Sequence, residues 1–209
     1  MTSRLSIANQ ALNLLGANSI DSLDEQVNEA DTIKEHYDQV VRNILSRNAW
    51  SFATKKETFV RDTVNTPLNE YSYQFIRPNE ALFIFRLFNG TAINQSPIQD
   101  YLLQEDYIFA NDKNLYGEYA YYSDEAYWPG YFQELIVNAL AAKIALPITD
   151  DLQQSNYYTN AAFGTPSSNN KGGLYYTAIC ADAKQNPPRA IINNPLLNAR
   201  FGSINRQGF

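Results

Sequence analysis

"YFQELIVNALAAKIALPITDD" occupies residues 131–151 and decides the fold class, because its apolar residues recur every three or four positions and not every two. Phe132, Leu135, Ile136, Ala139, Leu140 and Ile144 form one broad apolar face of a helix beginning after Pro129, in which only Glu134 and Lys143 are charged. A face that wide needs cover on more than one side, so other helices are expected around it.

Toward the N-terminus two more helices are legible. Leu5, Ala8, Leu12 and Leu15 keep helical spacing within residues 3–15, with Gly16 and Asn18 as a stop. After a short acidic connector, Asp24 offers an N-cap, and Ala30, Ile33, Tyr37, Val40 and Ile44 make one apolar stripe. Lys34, Glu35, Asp38 and Arg42 fall off that stripe. So short a connector predicts two antiparallel neighbouring helices.

Past Trp50 and Phe52 the period changes. "ETFV", "YSYQFI", "ALFIFRLF", "YLLQEDYIFA" and "LYGEYAYYS" are short β-branched or aromatic runs separated by Pro, Asn, Gly and Asp, which predicts an antiparallel β-rich section over 54–123. Beyond the 131–151 stretch another helix is expected after "TDD" at 149–151, through Tyr158 and Ala162. "GTPSSNNKGG" at 164–173 reads as a loop, mobile by composition, before "LYYTAICADAKQ" resumes a helical pattern. The tail "NPPRAIINNPLLNARFGSINRQGF" has three arginines, no acid and too many prolines for a long helix, so an extended arm is expected.

The fold class predicted is therefore α+β. An antiparallel helical bundle (1–53 and 124–188) carries an inserted antiparallel β-rich section (54–123) and an extended C-terminal arm (189–209). At 209 residues the chain can bury an ordinary core without staples. One cysteine excludes an internal disulfide, and one histidine leaves a zinc site short of ligands, so no metal or cofactor is expected. The N-terminal "MTSRLSIANQALNLLGA" lacks a signal peptide's apolar stretch, and no run is expected to approach the roughly 18 to 20 apolar residues of a membrane span; a soluble protein made in a reducing cytoplasm is expected. "NGT" at Asn89 and "NQS" at Asn94 then read as surface turns and not as glycosylation acceptors.

Charge narrows the partners. A net charge of -6 with 16 Lys plus Arg argues against phosphate neutralisation, so DNA would pass the protein without being gripped. Asp100 to Glu125 holds seven acids against one lysine, as much net negative charge as the whole chain. Glu105 with Glu118 could supply the two carboxylates of a glycosidase, but a solvated acidic face is the preferred reading. "NDKNLYGEY" at 111–119 matches a calcium loop only loosely. His36 has no serine elbow to serve and reads as a surface or helix-packing residue, while Cys180, between Ile179 and Ala181, reads as a small buried hydrophobe. Ten of the fifteen tyrosines lie between Tyr71 and Tyr131. Without interleaved basic residues, base stacking is disfavoured. Sheet packing or protein contact, with packed rings and wet hydroxyls, is expected ahead of glycan stacking.

The order of parts, with "NQALNLLGANSIDSLDE" (9–25), Tyr37, Val41 and Leu45 leading to "WSFAT" (50–54), "LIVNALAAKIALPIT" (135–149) and "NARFG" (198–202), resembles the head-to-tail adaptor family of short-tailed phages. The likeness runs over most of the chain. It implies a non-enzymatic virion protein at the head–tail junction: a ring subunit, typically in twelve copies, that docks under the portal protein, meets a tail nozzle or tubular protein, and extends the channel through which genomic DNA passes. It also implies a portal-docking arm, here Arg189, Ile191, Ile192, Leu196, Leu197, Arg200 and Phe201. Phe132, Ile136, Leu140 and Ile144 are the candidates for a helix covered by both its own core and a neighbouring subunit. The chain departs from the family at "GTPSSNNKGG", which interrupts a helix where continuity is expected.

Overall fold

A computed structural model of the chain describes residues 3–91, 96–168 and 172–185. It mixes helices with two small antiparallel sheets, in agreement with the α+β reading. The described helices are α1 (Arg4–Leu14), α2 (Asn28–Arg47), α3 (Gly130–Thr149), α4 (Leu152–Phe163) and α5 (Gly173–Gln185). The strands are β1 (Thr54–Thr58), β2 (Tyr73–Ile76), β3 (Ala81–Phe88), β4 (Tyr101–Gln104), β5 (Tyr107–Ala110) and β6 (Tyr116–Tyr121).

Local chemistry accounts for most helix ends. Ser3 caps α1 by accepting from the Ser6 N–H at 3.2 Å, and Gly16, at φ +71°, takes the left-handed turn that ends it. Asp151 caps α4 by accepting from the N–H groups of Gln153 and Gln154. The expected cap of α2 is corrected: that helix starts at Asn28 behind Val27, and Asp24 lies in the connector, paired with Lys34 at 2.9 Å. Glu29 and Asp31 in the first turn of α2 supply favourable charge where a side-chain cap is missing. Asn9 ties the connector back to α1, exchanging two 2.9 Å hydrogen bonds with the Ile20 backbone.

α3 is the hub: α1, α2, α4 and α5 all pack on it. α1 and α2, expected as antiparallel neighbours, each pack mainly on α3 and only lightly on one another. They meet through Arg4, which pairs with Asp38 at 3.3 Å and lies 4.4 Å over the Tyr37 ring. The physical reason is the apolar girth of α3, which offers both helices more surface to bury than they offer one another. By length and composition α3 is also apolar enough to cross a membrane, which corrects the expectation that no run approaches that length, and 56 % of its most apolar window is buried inside the fold.

Phe132, Ile136, Leu140 and Ile144 are all at 0 % exposure. Their assignment to a subunit interface is corrected, because the chain's own helices already enclose them and leave no surface for a neighbour. Around them stand Trp50, Trp128 and Phe52, whose rings meet Phe132 at centroid distances of 5.1, 5.1 and 4.8 Å in edge-on geometry. Both indoles are satisfied: Trp50 donates to the Ile44 carbonyl and Trp128 to Ser123.

The β-rich section forms two three-stranded sheets, ordered β1-β6-β3 and β2-β5-β4. "YLLQEDYIFA", read as one run, is a hairpin turning at Glu105 and Asp106. The sheets share a second core of Phe59, Phe75, Ile84, Leu87, Ile108, Leu115 and Tyr119. Gly117 is needed on β6 because a Cβ there would collide with the Phe59 ring. Tyr121 joins the two cores, donating from its hydroxyl to the Phe52 carbonyl at 3.3 Å.

Candidate functional site

The residues that end α2, begin the sheets and form α5 are drawn together by one buried carboxylate. Asp182 is 4 % exposed and accepts from the Ser51 N–H at 3.1 Å, the Ser51 hydroxyl at 2.6 Å and the Tyr131 hydroxyl at 2.8 Å. A carboxylate removed from water needs such donors to offset its desolvation. The clamp ties the last described helix to the "WSFAT" segment and to the first turn of α3. Burial, then the hydrogen bond to Asp182, raise the Tyr131 phenol above its ordinary range. The site was missed in the sequence, where the only signal was an acid inside the apolar run "AICADA".

Asp182 also closes an unusual interval. From Asp151 to Asp182 no charged side chain occurs among the described residues, whereas about one residue in six of the chain is charged. Lys171 falls outside the described residues. The outer faces of α4 and α5 are nonetheless exposed, showing Leu152 (61 %), Tyr157 (68 %) and Tyr176 (59 %), with Leu146 (48 %) near the end of α3. Gln153, Asn156 and Asn160 are exposed beside them. Exposed Leu and Tyr with neutral polar neighbours match the composition of protein interfaces, whose centres are depleted of charge and rich in aromatics. Gly173, at φ +60°, lets the start of α5 approach the Ala161 carbonyl at the end of α4 more closely than a Cβ would permit. The glycine pair at 172–173 thus has a packing role.

The other candidates are dispersed. Glu118 on β6 pairs with Arg86 at 3.1 Å, whereas Glu105 sits at the β4–β5 turn in the other sheet. In the 111–119 stretch, Asn111 accepts from Ser72 and donates to Asp100, and Asp112 accepts from Asn89. Among the described residues no three His, Cys, Asp or Glu side chains gather as metal ligands would. His36 is half-buried on α2 with its Nδ1 enclosed and without a hydrogen-bond partner, and Cys180 is half-buried on α5. Asn94 and the arm residues Arg189, Ile191, Ile192, Leu196, Leu197, Arg200 and Phe201 lie outside the described residues.

The tyrosines depart from the expectation of wet hydroxyls. Tyr119 is fully buried and donates to Glu57 at 2.6 Å, with Glu80 at 2.8 Å, while Tyr37 and Tyr122 both reach Glu125. Burial first, then these carboxylates, push all three phenols well above their ordinary value. Part of the acidic charge on this section is therefore structural, holding phenols inside the fold. No protein-family model matches this chain, and no curated protein is significantly similar to it.

Proposed function

We propose that the chain is a structural virion protein, a ring-forming head-to-tail adaptor that docks on the portal protein and continues the DNA channel toward a tail nozzle or tubular protein. In this reading the helices around α3 are the bundle that forms the body. Rings of twelve copies form through the outer faces of α4 and the first two turns of α5 together with the end of α3, and the 189–209 arm meets the portal.

The single observation that carries the reading is the interval between Asp151 and Asp182, which among the described residues holds no charged side chain, with Leu152, Tyr157 and Tyr176 exposed on it. A neutral, aromatic surface on a chain of net charge -6 suits contact with further copies of itself, since like charges facing one another would oppose assembly. Every residue of the Tyr37, Val41, Leu45 and Trp50 pattern behind the family resemblance is buried. The spacing of that pattern is thus a statement about packing. The net acidity leaves a duplex free to slide.

Mass measurement of the full chain with and without portal tests this. A defined multimer of the chain on the portal is expected. Leu152→Glu with Tyr157→Glu should abolish it while leaving the melting temperature within a few degrees, because both side chains are exposed. Deleting 189–209 should leave a folded chain that no longer binds portal. Absence of any assembly by the intact chain, or a multimer indifferent to both glutamates, would overturn the proposal.

A further inference from the structure

The β-rich section holds a cleft that the adaptor role does not use. It has a volume of about 690 Å³, within the range of small-ligand sites, and lies between the 65–69 loop, β2 and the β4–β5 hairpin. Its polar lining residues are Asn65, Thr66, Asn69, Gln74, Gln104 and Glu105. Its apolar lining is Leu68, Tyr107 and Phe109.

Two of these amides are held by one carboxylate, and a third, Asn69, accepts the Tyr71 N–H at 3.1 Å. Asp62 accepts from the Asn65 side-chain amide at 2.9 Å and the Gln74 side-chain amide at 2.8 Å, and from the backbone N–H groups of Val64 and Asn65 at 2.9 and 3.2 Å. Hydrogen bonds from Asn65, then Val64 and Gln74, lower the Asp62 carboxyl to about 2, so it is an acceptor throughout the physiological range. One donor each of the Asn65 and Gln74 amides is thereby committed, and the remainder of each planar group is not taken up within the described chain. Glu105 stands at φ +51°, a left-handed conformation that costs a non-glycine residue about 1 kcal/mol. Leu68 is fully exposed at the rim, and Tyr107 leans on Phe109 at 6.3 Å.

This chemistry selects one class of ligand. Without Lys or Arg in the lining, phosphate, sulfate and uronate groups have no counter-charge, and a single carboxylate is too few for a metal. Planar amides, which carry donors beside an acceptor, match the vicinal hydroxyls of a sugar even with one group committed within the chain, and an aromatic and aliphatic wall matches the C–H face of its ring. We infer that the cleft between the 65–69 loop and the β4–β5 hairpin binds a neutral saccharide, through Asn65, Asn69, Gln74, Gln104 and Glu105, with Tyr107 and Leu68 against the ring.

The probe is an array of neutral and acidic oligosaccharides, screened with the full chain and followed by NMR titration of the best neutral oligosaccharide. Binding of neutral members is expected, with chemical-shift changes at Gln104 and Tyr107. Asn69→Ala with Gln104→Ala should weaken it at least tenfold while leaving the melting temperature within a few degrees, since both side chains are exposed and the one bond lost, from the Tyr71 N–H to Asn69, can pass to water. No neutral binder at millimolar concentration, binding of acidic glycans alone, or affinity unchanged in the double variant would each overturn the assignment. Portal-dependent assembly, measured on the same double variant, is expected to be intact and reads the adaptor role separately.

Discussion

The helical region and the β-rich region solve the same burial problem by different means. Around α3 the core is almost wholly apolar, with Phe132, Leu135, Ile136, Leu140 and Ile144 fully enclosed and the buried Asp182 satisfied at its edge. The sheets are too small to bury as much, and their core includes Tyr119, whose hydroxyl needs Glu57 and Glu80. Stability in the first region therefore comes from area and shape, and in the second from a few polar contacts whose loss leaves buried groups without partners.

Truncation of Phe132 to Ala should have the largest effect. It removes the ring on which Trp50, Phe52 and Trp128 converge, and a cost of about 3–5 kcal/mol is expected from chemical denaturation. A cost below about 1 kcal/mol would remove α3 from its place as the hub. Gly117→Ala comes next, at about 1–3 kcal/mol, because the added methyl must displace the Phe59 ring. Hydrogen exchange should show faster opening in β1 and β6 before α3; equal acceleration everywhere would mean that the two regions open as one unit.

Tyr119→Phe should cost about 1–2 kcal/mol, as it leaves Glu57 and Glu80 facing each other without the shared donor. The same contacts set an alkaline limit. A phenol whose folded pKa lies above its ordinary value near 10 contributes stability that is fully present below about pH 10 and is lost as pH rises toward the folded value. Spectrophotometric titration should accordingly find Tyr37, Tyr119, Tyr122 and Tyr131 resisting ionisation until the chain unfolds. Their smooth titration near pH 10 would contradict their burial. The smallest effect belongs to Asp151→Ala, at about 1 kcal/mol from the lost cap of α4, read as a modest fall in melting temperature.

Much of this division was legible residue by residue. The switch of period after Trp50 marked where helices stop and strands begin, and Gly16 and the "TDD" run marked real helix boundaries. Asp24 misled because an acid before an apolar run looks like a cap whether or not the chain is already turning there; its carboxylate went to Lys34 instead. The interface candidates on α3 misled for a related reason. Periodicity says that a face must be covered, but it does not say whether the cover comes from the same chain, and here α1, α2, α4 and α5 suffice.

The cleft was less legible still. Asn65, Asn69, Gln74 and Gln104 lie on a loop, a strand and a hairpin, and nothing in their spacing relates them. By itself the sequence determined the element types and the α+β class, because these depend on local period and composition. Tertiary structure alone decided that α3 is enclosed by its own chain, that Asp182 clamps Ser51 and Tyr131, and that four amides meet around one cleft. Such groupings join residues distant in sequence through backbone pairing and packing, which no local pattern encodes.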